Sequence, residues 1–373
     1  MIYADNAATT RLSPKALEAM LPYLQGQYGN PSDVYSFGMQ AKRAIELARK
    51  QAADAIHVSP EEIVFTSGGT ESNNWALSCV QGGHIITVRT EHSSVLQACA
   101  VLEEKGVEVT YLPVDWQGQV RIADVLSTIR SDTKLVSIHL GNNELGTLQP
   151  IAEIAHALSG SGILFHTDAV QAVGHIPVDA KALGVDLLTA SAHKFHGAKG
   201  TGFLYVRVGT PWRAMLRGGK QENRLRAGTE NVAGIVAAGA ALEESAAALE
   251  ETQARQRQLA QWTWRALEER IPGITLNTPV DQALPGFVNI AFGNVSGEAL
   301  LHQLDLKGIC VSVGSACAAG QNAPSHVLKA IGLTDRQALS ALRITYGRYN
   351  TQTDATCIVE ALCAACKRIA VLA

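Results

Sequence analysis

The chain has 373 residues, 47% of them hydrophobic and 17% charged, the balance of an ordinary soluble globular enzyme, and a length that favours two lobes over one core. A formal net charge of −3 gives no reason to expect nucleic acid or an acidic surface as a direct partner. Residues 1–10 have neither a basic region nor an apolar one, so no signal peptide is expected, and no run of about eighteen residues is apolar enough to span a membrane. Seven cysteines, an odd number in a large chain, fit free thiols in a reducing cytoplasm better than a disulfide framework.

Apolar runs at 62–65, 84–88, 107–112, 134–138, 163–166, 186–189 and 202–206 predict strands. Most are nearly continuous, as in strands buried on both faces of a parallel sheet. The run from Val107 alternates and is expected nearer an edge. Helical segments such as Pro150 to Leu158 lie between the runs. The alternation predicts an open α/β sheet with crossover helices.

From about Ala237 to Arg270 an Ala- and Glu-rich stretch with no Pro or Gly after Gly239 reads as one or two helices linking the lobes. An apolar run at 286–292, a glycine-dotted stretch around Cys317 and a helical tail from about Thr353 follow. The expected division is a large lobe over 15–254 and a small lobe built from 1–14 and 255–373.

The chemistry-bearing residues cluster after strands. Val64 to Asn74 runs from a strand through Gly68-Gly69 into a helix with Thr70 near its start, which is either an anion site or a capped helix after a tight turn. His92 follows the strand ending at Val88, and Asn143 the strand ending at Ile138. Asp168 and Gln171 follow Phe165, and Ser191, His193 and Lys194 follow Leu188. Five polar clusters beyond strand carboxyl ends mark the ligand edge of an open α/β sheet.

These residue types match one cofactor. A phosphate needs the Gly69-Thr70 turn, helped by Ser191 and His193. A protonated pyridine nitrogen needs a carboxylate, Asp168. An aldehyde needs an amine, Lys194, and a flat ring needs a stacking partner, His92. Pyridoxal phosphate makes all four demands. No metal is expected, because no cysteine or carboxylate completes a ligand set around His193 and His196. Cys317, in the small-residue loop from Ser312 to Gly320, is the cysteine whose setting suits a mobile nucleophile. Cys79, Cys99, Cys357 and Cys363 in predicted helices, and Cys310 in an apolar run, suit buried inert thiols. The Cys363/Cys366 pair lacks a redox-motif setting. Arg343 is a carboxylate clamp or, like Arg348, a surface charge.

Over nearly its whole length the sequence resembles the cysteine desulfurases of the fold-type I, aminotransferase-like superfamily. The resemblance is carried by 3–10, 66–74, 90–93, Asn142-Asn143-Glu144 with Gly146, 166–171, 191–197, Arg226 to Asn231, Gly314 to Cys317 and Arg343. Ser-x-Gly-Ser-Ala-Cys is similar to the housekeeping and nitrogen-fixation group. The resemblance implies a large domain with a mostly parallel sheet, a smaller α+β domain and a homodimer, with a threonine matching Thr229 reaching the phosphate from the partner subunit. It implies that Arg343 and Asn143 hold the carboxylate of L-cysteine, that Gln171 bonds the ring hydroxyl, and that Lys194 and His92 handle protons. Cys317 would take the sulfur as a persulfide, releasing L-alanine, for an acceptor such as an iron–sulfur scaffold protein or for thio-cofactor or tRNA synthesis. Val313, where a serine is common, and Ala318-Ala319, in place of Thr-Ser, bear on the acceptor. A selenocysteine lyase or an aminotransferase of the same fold is the nearest alternative. A non-catalytic scaffold would need neither Lys194 nor Cys317.

Overall fold

The computed structural model describes residues 1–279, 282–314 and 323–372. Twelve strands are, in chain order, β1 (Ile2–Tyr3), β2 (Ile63–Thr66), β3 (His84–Val88), β4 (Glu108–Leu112), β5 (Thr133–Ser137), β6 (Leu164–Asp168), β7 (Leu187–Ser191), β8 (Gly202–Val206), β9 (Thr275–Leu276), β10 (Phe287–Ala291), β11 (Ile309–Cys310) and β12 (Ala341–Thr345). Seven of them form one sheet in the order β2-β8-β7-β6-β5-β3-β4. Pairing is parallel from β7 through β6, β5 and β3 to β4, and antiparallel where β8 meets β2 and β7.

The expected α/β architecture with a mostly parallel sheet is what the chain adopts. The strands with continuous apolar runs, β2, β3 and β7, are buried throughout, whereas the alternating β4 sits at the sheet edge with partly exposed residues. Helices cover both faces, so each buried strand loses water on two sides. Among those the sequence left unread are Pro14–Gln25 and Ser36–Ala55, which pack against Val232–Ala247.

The Ala- and Glu-rich stretch is two helices, Val232–Ala247 and Leu249–Glu268, meeting at an angle of 73°. The first buries small residues against the large sheet's core. The second contributes Leu259 and Leu267 to another core with β10, β12 and the C-terminal helix Gln352–Leu372. Burial on two different cores sets the bend at Ala248. Ala4, in the N-terminal strip, belongs to that second core, and β1 pairs with β11. Among the described residues no single helix is long and apolar enough to cross a membrane.

A buried ion pair fastens β2 to a distant loop. Arg49 donates to both carboxylate oxygens of Glu222 at 2.8 and 2.7 Å, and the Phe65 amide donates to the same carboxylate at 2.9 Å. Glu222, Asn223 and Arg224 all have positive φ, at 46°, 55° and 69°, a run that non-glycine residues adopt only when their surroundings hold it. The bidentate pair supplies that hold and leads the chain into Gly228 and Thr229.

Candidate active site

A cavity of about 250 Å³ opens at the carboxyl ends of the parallel strands. Its walls bring together Gly69, Thr70, His92, Asn143, Asp168, Gln171, Ser191, His193, Lys194 and Arg343. These ten come from separate stretches of sequence; nine meet because each follows or ends a strand at the same edge of the seven-stranded sheet, and Arg343 reaches them from β12 of the three-stranded sheet.

At one end, the helix Gly69–Ser78 begins without a side-chain cap. Its first N–H groups have no partner within the helix, and Thr70 and Ser191 border them. The turn demands glycine. Gly68 has φ 146°, and a Cβ on Gly69 would stand 2.8 Å from Val170 Cγ2. Here the anion-site reading of this turn and the capped-helix reading part company, since no side chain occupies the cap. His193 borders the same end, with Nδ1 3.1 Å from Thr9 Oγ1.

At the far end of β6, Asp168 accepts from Asn73 Nδ2 at 2.6 Å and from the Val170 amide at 2.9 Å. Lys194 lies in the turn after β7. Its Nζ donates to the carbonyl oxygens of Ala7 and Ala8, the latter at 2.8 Å. Gln171 Nε2 reaches the same Ala7 oxygen at 3.0 Å. The N-terminal strip therefore forms one wall of the cavity, held by Thr10 on the His193 carbonyl.

Arg343 is not a surface charge: it is 1% exposed. Its Nη1 donates to the Asn143 carbonyl and its Nη2 to Asp5 Oδ1, both at 2.6 Å. Its Nε is buried with no protein partner, which leaves a donor for an acidic ligand. His92 caps the helix Ser93–Glu104, with Nδ1 2.8 Å from Ser94 Oγ and 3.2 Å from the Ser94 amide.

Among the described residues, one expected residue does not join the cluster. Thr229 lies on a separate cavity of about 70 Å³, beside Gly228 and Arg226, and is exposed. Cys317 lies outside the described residues. Of the cysteines expected to be buried, Cys99 and Cys363 are, Cys79 and Cys310 are only partly buried, and Cys357 is exposed on the C-terminal helix. An apolar helical neighbourhood in sequence did not fix which face it takes. Asn73, Ser94 and His139 also line the cavity and had no role in the sequence reading. Asn73 follows Thr70 by three residues, so the two share a helix face, and that spacing was the available signal.

Burial pushes three histidines near the site down to about 4: His166, where Asp168 opposes the shift, His193, where Lys194 adds to it, and His196. The ordinary histidine value is near 6.5. The unfolded chain thus takes up protons below about pH 6.5 that the folded chain refuses until about pH 4. This contribution to stability is complete above the upper value and is lost as pH falls towards the lower one. The urea midpoint should drop steadily between pH 6.5 and 4.5; a midpoint that stays level across that window would contradict neutral burial of these rings.

Comparison with known proteins shows the family and the fold. The model of the aminotransferase class-V family matches residues 2–358. A protein named cysteine desulfurase IscS from Dictyoglomus turgidum is 47% identical over 367 residues, covering 97% of this chain and 93% of that one. A solved structure titled NifS-like protein superposes with a TM-score of 0.92 at 37% identity, covering 98% of this chain and 99% of the other. Another, titled SspA in complex with cysteine, gives a TM-score of 0.83 at 35% identity, covering 94% and 100%.

Proposed function

We infer the activity from the family to which the chain belongs, the class-V aminotransferases, within which it is a cysteine desulfurase. The observation that carries the reading to named residues is one cavity holding an uncapped helix start, a carboxylate, an amine and a buried guanidinium. L-cysteine is the substrate and pyridoxal phosphate the cofactor. The residues fit that cofactor: the uncapped N–H groups with Thr70, Ser191 and His193 suit its phosphate, Asp168 its pyridine nitrogen, Gln171 its hydroxyl, and Lys194 its aldehyde.

When bound, pyridoxal phosphate supplies an electron sink for charge developing at the substrate Cα. The chain does the rest. Arg343, through its unpartnered Nε–H and remaining Nη protons, binds the substrate carboxylate together with Asn143. Lys194 Nζ would hold the aldehyde, would take the proton from the substrate Cα and would return it there before L-alanine leaves. His92 would cover one face of the ring. Cys317, as thiolate, attacks the substrate sulfur. The carbon–sulfur bond breaks with its electron pair going to carbon, which is protonated to give L-alanine, and the sulfur stays on Cys317 as a persulfide.

The working unit is a homodimer. Thr229 is exposed and lines a cavity other than the one at its own subunit's phosphate end, which suits a group that completes the partner's site. The acceptor is a protein such as an iron–sulfur scaffold, the role that the names of the relatives support. The deciding experiment is Cys317→Ser. The variant should keep its yellow cofactor and its spectral response to cysteine while sulfide and alanine production stop. Alanine formed at the native rate would remove Cys317 from the mechanism.

A further inference from the structure

We propose that Asn73 and Ser94 are positioning residues that form a one-way hydrogen-bond relay from Asp168 and hold His92 as a neutral imidazole protonated on Nε2, making it a fixed hydrogen-bond donor to the cavity and not a proton acceptor. The proposal rests on the reading of His92 as the residue over the cofactor ring.

The direction of the relay follows from what each atom can do. A carboxylate oxygen only accepts. The Asn73 atom 2.6 Å from Asp168 Oδ2 is therefore its NH₂ nitrogen, which settles the amide's orientation chemically. The second proton of that NH₂ points to Ser94 Oγ at 2.8 Å. Ser94 Oγ, accepting there, has its own single proton for the next partner, His92 Nδ1 at 2.8 Å. The Ser94 backbone amide, which can only donate, reaches the same Nδ1 at 3.2 Å. Two independent donors thus meet one ring nitrogen. Nδ1 must offer its lone pair, and the ring proton sits on Nε2.

The surroundings keep the ring neutral. Burial lowers the His92 pKa most; Asp168 and Glu91 oppose it, and Lys194 and His326 add to it, with the net direction downwards. Asn73 is 1% exposed and Ser94 8% exposed, so water competes little for the relay. A neutral imidazole with Nε2–H polarises an oxygen or stabilises sulfur carrying negative charge. It cannot also take up the proton of a thiol at Nε2. This replaces the acid–base role expected of His92 from sequence and moves activation of the thiol to another group.

The test is ¹⁵N NMR of histidine-labelled holoenzyme at neutral pH, with His92→Ala supplying the assignment. The native protein should show His92 unprotonated at Nδ1 and protonated at Nε2, with an excess of roughly tenfold or more over the other tautomer. Ser94→Ala removes one of the two donors and should cut that excess about fivefold. Asn73→Ala removes the donor to Ser94, so the hydroxyl oxygen is free to accept from the ring and the population moves towards Nδ1–H. Native protein carrying the proton on Nδ1, or a Ser94→Ala variant with the native ratio, would overturn the relay. The stacking reading is judged apart from it, by the cofactor's dissociation rate in His92→Ala: an unchanged rate would sink that reading and leave the tautomer result standing.

Discussion

Replacing Lys194 by alanine should lower the rate of alanine formation from cysteine by about four orders of magnitude, the upper range for a positioned proton-transfer group. Lys194 is the one amine among the described residues that line the cavity. No neighbour can take over, because His193 is held neutral by burial, its pKa pushed down to about 4, and the Arg343 guanidinium does not deprotonate in proteins. The fold should survive. Ala7 keeps a second donor in Gln171 Nε2, and the turn is tied through the backbone, with the Lys194 carbonyl accepting from His175 Nε2 at 2.8 Å and the His193 carbonyl accepting from Thr10 at 2.8 Å. The cofactor's phosphate contacts are also untouched. The variant should therefore bind the cofactor without the lysine link, seen as a changed visible band, and an added small primary amine should restore part of the rate. Two results would count against the assignment: turnover within tenfold of native, or no rescue at any amine concentration in a protein that still holds cofactor.

What the sequence made legible divides along physical lines. Strand positions were readable because burial on two faces demands near-continuous apolar runs. His84–Val88 and Gly202–Val206 fall where expected, and the alternation from Val107 correctly placed that strand at the edge. Nine of the ten clustered site residues were readable because parallel strands deliver their following residues to one edge; Arg343, from β12, was not. The break at Ala248 was not readable, since no proline or glycine marks it. It comes from two cores pulling on consecutive helices. The burial of Arg343 was left open for a similar reason: only its contacts with Asp5 and Asn143, 338 and 200 residues away, decide it. Asn73 and Ser94 each look like ordinary helix residues alone, and their link appears only when the two helices are brought together.

Replacing Arg343 by lysine should raise KM for cysteine by about 100-fold, since a planar fork pairing two carboxylate oxygens is exchanged for a point charge and each charge-assisted bond contributes about 1.5–3 kcal/mol. The same arginine also holds the fold, and the two roles must be separated. It sits in β12, donates to Asp5 at 2.6 Å, and so ties the N-terminal wall of the site to the second core. Removing one partner of so buried a pair costs about 3–5 kcal/mol, so Arg343→Ala confounds binding with stability. Lysine keeps a positive charge for Asp5 and should hold the urea midpoint much closer to native than alanine does. The discriminating substrate is cysteamine, which has the amine and thiol of cysteine but no carboxylate. Native enzyme should turn it over poorly, and Arg343→Lys should handle it no worse than native, because the lost fork has nothing to grip. A clamp for the substrate carboxylate predicts that the KM penalty appears with cysteine and vanishes with cysteamine. If both substrates suffer equally, Arg343 serves the architecture alone, and the carboxylate must be held by Asn143 without it.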